Sequence, residues 1–133
     1  MVMFDRRSEP RAGRVLVVDD DIEILKALRD VLEDEGYEVM DATDGAEALP
    51  LLKSSPPPDV MLLDLMMPEM DGWTLLQHMR NDADVAKIPV VIMTAAGRTT
   101  REAIGSSANL LTKPLDLGVL LRALQDARSR RTS

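Results

Sequence analysis

The residues best suited to chemistry in this chain are acidic, and they stand at the ends of apolar runs. Asp19-Asp20-Asp21 follows Arg14-Val15-Leu16-Val17-Val18, and Asp64 follows Val60-Met61-Leu62-Leu63. Thr94 ends a third run, Pro89-Val90-Val91-Ile92-Met93, and Lys113 ends a fourth, Asn109-Leu110-Leu111-Thr112. Clustered carboxylates repel one another unless a cation joins them. With no cysteine and one histidine in 133 residues, a metal here meets hard oxygen ligands, which select Mg²⁺, Mn²⁺ or Ca²⁺. Mg²⁺ keeps several waters and pairs one or two carboxylates with a phosphate, which suits an open site. A lysine ammonium adds a second positive charge for phosphoryl oxygens, and a threonine hydroxyl adds a hydrogen bond. A carboxylate is itself a competent phosphoryl acceptor, giving an acyl phosphate. Read alone, Asp64 is no more than a turn or helix-capping residue; its weight comes from the company it keeps.

That company depends on the elements that carry these residues. The apolar runs are short, β-branched and bounded by turn residues, as in buried strands of a parallel sheet. Between them lie helical patterns. Leu25, Leu28 and Leu32 recur at helical spacing, with capping-box spacing at Asp20 and Glu23 and a stop at Gly36. Tyr37-Glu38-Val39-Met40 reads as a short strand. Asp44 and Glu47 open a second helix that Pro50 must kink or end early. Pro56-Pro57-Pro58 reads as a stiff connector. Trp73, Leu76 and Met79 predict a third helix, residues 82–87 a loop, residues 99–104 a short helix, and Leu117, Leu120, Leu121 and Leu124 the last one.

Strand and helix alternate five times, which predicts one α/β domain with a parallel sheet and helices on both faces. Right-handed crossovers leave few strand orders, and 2-1-3-4-5 is a common one. In that order the polar ends of strands one, three, four and five converge on one rim. Only strand two, with Asp41 and Thr43, contributes nothing to the argument.

Composition narrows the function. The net charge of −7 argues against duplex nucleic acid as a direct partner. No window approaches the ~20 apolar residues of a membrane span, and no signal-peptide core is present, so membrane insertion is not expected and a cytoplasmic location is. Residues 1–13 are expected to form a loose arm, 14–128 the domain, and 129–133 a basic tail. His78 is expected on a helix surface, and the methionines mostly in the core.

Taken together, Val15-Leu16-Val17-Val18-Asp19-Asp20-Asp21, Leu62-Leu63-Asp64-Leu65-Met66-Met67-Pro68-Glu69-Met70-Asp71-Gly72, Val91-Ile92-Met93-Thr94-Ala95 and Leu111-Thr112-Lys113-Pro114 resemble the receiver domain of two-component response regulators. The resemblance spans roughly residues 14 to 128. It implies a flavodoxin-like (βα)₅ fold that accepts a phosphoryl group from a kinase phosphohistidine, without being a turnover enzyme. By resemblance Asp64 is the phosphoacceptor. Asp19, Asp20, Asp64 and the backbone carbonyl of Met66 hold Mg²⁺ or Mn²⁺, while Thr94 and Lys113 bind the phosphoryl group. A cis peptide at Lys113-Pro114 is also implied. The implied partners are a histidine kinase or phosphotransfer protein and a downstream protein target.

The sequence departs from the family pattern at Leu110 and in the stretch from Thr94 to Lys113, which is shorter than is common. Leu110 stands where a tyrosine or phenylalanine usually couples phosphorylation to the output face, so signalling is expected to rely on reordering of residues 97–108. Met66 and Ala96 stand at the positions that tune acyl-phosphate lifetime. Neither side chain can hydrogen-bond an attacking water, so self-dephosphorylation is expected to be slow. Other chemistries fit less well. A dehalogenase-type phosphatase needs an aspartate at position 66, a flavin binder wants a hydroxyl-rich loop after strand one, and a P-loop motif is missing. The alternative on the same fold is a degenerate receiver that binds proteins and is never phosphorylated.

Overall fold

The computed structural model describes residues 13–65, 72–94, 109–112 and 115–132. Five parallel strands form one sheet in the order β2-β1-β3-β4-β5, as the sequence predicts. They are β1 (Gly13–Val18), β2 (Tyr37–Ala42), β3 (Val60–Asp64), β4 (Val90–Thr94) and β5 (Asn109–Thr112). The described helices are α1 (Ile22–Asp34), α2 (Gly45–Leu52), α3 (Gly72–Arg80) and α4 (Leu117–Thr132).

The pleat divides the strand residues between two cores. Val15, Val17, Val60, Leu62, Val91 and Met93 face one way, against Leu25, Leu28 and Leu32 of α1 and Leu120, Leu124 and Ala127 of α4. Leu16, Val18, Met61, Leu63 and Ile92 face the other way, against Ala48 and Leu52 of α2 and Leu75 and Met79 of α3. Burial on both faces explains why the strands read as continuous apolar runs. Each of these valine, leucine, isoleucine and methionine side chains contributes about 1.5–3 kcal/mol relative to exposure. The two-sided packing therefore fixes the register that carries the polar strand ends.

Local details differ from the sequence reading in instructive ways. The cap of α1 is Asp21, not Asp20: its carboxylate accepts from the Glu23 and Ile24 amides at 3.0 and 3.3 Å. In a run of three aspartates only the geometry of the strand exit decides which one caps. Asp44 caps α2 by accepting from the Glu47 amide at 2.8 Å. The Glu47 carboxylate reaches back one residue further than a standard box, to the Thr43 amide and hydroxyl at 2.6 and 2.7 Å. Pro50 offers no amide for the Ala46 carbonyl, and α2 ends two residues later. In α3 Gly72, Leu75 and Met79 are buried and Leu76 is half-buried against the same core, so of the expected stripe only Trp73 lies exposed. A 3₁₀ turn, Val85–Lys87, lies within the expected loop, with Val85 buried beneath it. Strand β2 runs two residues further than expected, and α4 continues through residues 129–132 of the expected tail. The described cis bond is Ser55–Pro56. Gly13, the last residue of the expected arm, is instead the first residue of β1. Residues 1–12 of that arm, the short helix at 99–104 and the Lys113-Pro114 bond lie outside the described residues.

The amino-terminal ends of the strands form a floor of opposite charges. The Arg14 amide donates to Asp59 Oδ2 at 2.8 Å, and the Asp59 amide donates to the Arg14 carbonyl at 2.9 Å. Arg14 Nη2 pairs with Glu38 at 3.2 Å. Arg128, near the end of α4, lies 5.8 Å from the centroid of the Tyr37 ring. Gly13 makes this possible. Its φ is +107°, and a Cβ there would lie 2.8 Å from both Arg128 Nε and Asp59 Oδ2.

Candidate functional site

The opposite, carboxyl-terminal rim is built from residues far apart in the chain. In the β1–β3 ladder the last pair is Val18↔Leu63, so Asp19 and Asp64 stand one step beyond it. Both continue the alternation of Val15, Val17, Val60 and Leu62, on the face shared with α1 and α4. The Asp19 amide donates to the Ala42 carbonyl at 3.1 Å, so β2 supports the turn after β1. The Asp21 amide donates to Asp19 Oδ1 at 2.9 Å. The three consecutive aspartates thus divide their work. Asp19 is buried and holds the turn, Asp21 caps α1, and Asp20 is exposed at the rim.

One oxygen from each of Asp19, Asp20 and Asp64 lies within 4.8 Å of the other two. No other group of three or more potential metal ligands of this kind occurs among the described residues. Asp19 is fully buried and Asp64 only 5% exposed. Taking carboxylates out of water is costly unless they are paired, hydrogen-bonded or bound to a cation. An all-oxygen donor set with one exposed member fits a hard divalent ion that retains water on its open side. Such an ion would offset the repulsion of the three carboxylates and supply positive charge to phosphoryl oxygens.

Thr94 is buried at the end of β4 and pairs in register with Thr112, the residue before Lys113. Asp64 pairs in register with Met93, so Thr94 extends one residue past the level of Asp64. Leu110 lies half-buried on the edge strand β5, packed against the core beneath α2 and α3. Met66, Ala96 and Lys113 lie outside the described residues. Asp41 and Thr43, without a role in the sequence reading, do have partners: Asp41 pairs with Arg29 at 2.8 Å and Thr43 with Glu47. Their partners place them in the scaffold around β2.

In the sequence Gly72 is marked only by the turn-forming Asp71-Gly72 dipeptide. In the structure it begins α3 against the end of β3, and its amide donates to the Leu65 carbonyl at 3.0 Å. The Asp71-Gly72 dipeptide was the available signal, but its close packing partner could not be read from it.

The family profile of the response regulator receiver domain matches residues 15–125. The chain belongs to the response regulator receiver family. It is 38% identical over 111 residues to the DNA-binding dual master transcriptional regulator RpaA of Synechocystis sp., covering 81% of this chain and 46% of that one. It is 32% identical over 115 residues to protein PilH of Pseudomonas aeruginosa, covering 84% of this chain and 94% of that one. Among solved structures, Vibrio cholerae chemotaxis protein CheY4 superposes with a TM-score of 0.78 at 31% identity, covering 86% of this chain and 98% of that one. This receiver spans about half the length of RpaA and nearly all of PilH. The flavodoxin-like architecture expected from the sequence is the one observed. Among the described residues no helix is long and apolar enough to cross a membrane.

Proposed function

We propose that this receiver takes a phosphoryl group onto Asp64 from the phosphohistidine of a kinase or phosphotransfer protein. An Asp64 carboxylate oxygen attacks phosphorus, the P–N bond breaks, and the imidazole leaves and is reprotonated. The observation that carries this reading is the approach of Asp19, Asp20 and Asp64 to within 4.8 Å on the rim of a receiver-family sheet. Asp19, Asp20 and Asp64, with the Met66 carbonyl, would hold Mg²⁺ or Mn²⁺, which would supply positive charge to the phosphoryl oxygens. Thr94 hydrogen-bonds a phosphoryl oxygen, and Lys113 pairs first with the Asp64 carboxylate and then with the phosphoryl group. The phosphorylated domain then presents an altered surface to a downstream protein. It accepts one phosphoryl group, slowly loses it to water, and is not itself a turnover enzyme.

Incubation with acetyl phosphate and Mg²⁺, followed by intact mass, tests the reading. One phosphoryl adduct is expected in the wild type and none in Asp64→Asn. The adduct should outlast minutes, because Met66 and Ala96 offer no side-chain hydrogen bond to an attacking water. An unmodified wild type would favour the degenerate, protein-binding receiver instead. Capture of partners with beryllofluoride-treated wild type and with Asp64→Asn identifies the downstream target.

A further inference from the structure

We infer that Gly72 is a positioning residue for the acceptor carboxylate: its missing side chain lets the first residue of α3 seat directly on the Asp64–Leu65 backbone. This rests on the reading of Asp64 as the phosphoacceptor. A Cβ at position 72 would lie 2.6 Å from Leu65 Cα, 2.9 Å from the Asp64 carbonyl oxygen and 2.9 Å from Leu65 Cδ2. Two of these three atoms are backbone, which no rotamer change can move. The Gly72 amide donates to the Leu65 carbonyl at 3.0 Å, closing the chain from 65 to 72 at its base.

Hydrogen bond and close approach together hold the peptide that follows Asp64 against the start of α3. The carboxylate of Asp64 hangs from the same residue whose carbonyl Gly72 touches. With a methyl group at 72, the 2.6 Å approach must open by at least 0.4 Å to reach the 3.0 Å below which real contacts essentially do not occur, and by 0.8 Å to reach the 3.4 Å of ordinary contact. Constellations of catalytic or binding groups tolerate about 0.5 Å of error. Mg²⁺ also demands near-ideal octahedral geometry. The displacement is of the same size as the tolerance and falls on the backbone that carries Asp64, so its effect reaches the site as well as the stability of the fold.

The floor glycine supplies the control. Gly13 lies roughly 20 Å from Asp19 along β1, at about 3.3 Å per residue. A Cβ there would also meet atoms at 2.8 Å, but they belong to the side chains of Arg128 and Asp59. Gly13→Ala and Gly72→Ala therefore both strain the fold, at opposite ends of the sheet.

The experiment compares wild type, Gly13→Ala and Gly72→Ala by thermal unfolding, by calorimetric Mg²⁺ titration and by the initial rate of phosphorylation by acetyl phosphate. Both variants are expected to melt below the wild type. Only Gly72→Ala is expected to bind Mg²⁺ about tenfold more weakly and to phosphorylate about 100-fold more slowly, the loss typical of a 1 Å misplacement. Equal Mg²⁺ affinity and rate in Gly72→Ala and Gly13→Ala would overturn the role of Gly72 while leaving Asp64 as acceptor. A wild type that takes no phosphoryl group would overturn the acceptor reading itself, and this inference with it. If Gly72→Ala is unfolded at 25 °C, all three proteins are titrated in a stabilising osmolyte, which favours the compact state without contacting the site. Wild-type affinity in refolded Gly72→Ala would then refute the inference.

Discussion

The two ends of this sheet solve opposite electrostatic problems. At the floor, Asp59, Arg14, Glu38 and Arg128 alternate in sign, and two of the hydrogen bonds tie Asp59 to the start of β1 at 2.8 and 2.9 Å. At the rim, one oxygen from each of three carboxylates, Asp19, Asp20 and Asp64, lies within 4.8 Å of the other two. The same parallel pairing of β1 with β3 produces both ends. The floor uses that pairing to hold the sheet shut, and the rim uses it to concentrate charge. The proposed site thus lies where like charges meet, and the ion-paired floor where opposite charges cancel.

The sharpest test of this division is Asp20→Asn. Removing the exposed rim charge should weaken Mg²⁺ binding by at least ~10-fold, yet leave the ion-free domain as stable as the wild type or more so, since like charges no longer face each other. Calorimetric titration and urea unfolding in chelator read the two effects separately; a variant that is destabilised without metal would break the comparison.

At the floor the expectation reverses. Asp59→Ala removes the acceptor for the Arg14 amide and should cost about 1–3 kcal/mol, the usual penalty for a stranded partly buried donor. Its Mg²⁺ affinity should match the wild type. A loss of ion binding in this variant would show that the ends are coupled.

The smallest effect concerns Glu47, whose carboxyl is held below the usual glutamate range by the Thr43 amide first and the Thr43 hydroxyl second. A depressed native value means the group stabilises the fold above the unfolded glutamate range and ceases to do so as pH falls through the native value. Because Glu47 is exposed, screening keeps this contribution small. Melting curves of wild type and Glu47→Gln should therefore diverge slightly at neutral pH and converge in acid; divergence that grows in acid would contradict the assignment.

The rim was legible in the sequence because its members stand at strand ends, where apolar runs stop on polar residues and strand order brings the stops together. Strand β5, Asn109–Thr112, falls where its apolar run and flanking polar residues place it. Asp21 as the cap of α1 was not legible, because three adjacent aspartates satisfy the same local rule. The exposure of Trp73 escaped for a related reason: Leu75 and Leu76 are both apolar, and only tertiary packing buries Leu75 fully, half-buries Leu76 beside it and leaves Trp73 outside. The floor was invisible. Gly13, Asp59 and Arg128 belong to no local motif, and only the closed sheet brings them together.

The register between β1 and β3 has a last consequence, for how the domain responds to its ionic surroundings. Asp19 and Asp64 become neighbours only when those two strands have paired, so an unfolded chain offers a divalent ion no comparable pocket. Any ion held at the rim then acts as ballast for the native state alone. Each tenfold increase in its concentration well above the dissociation constant deepens the native well by about 1.4 kcal/mol.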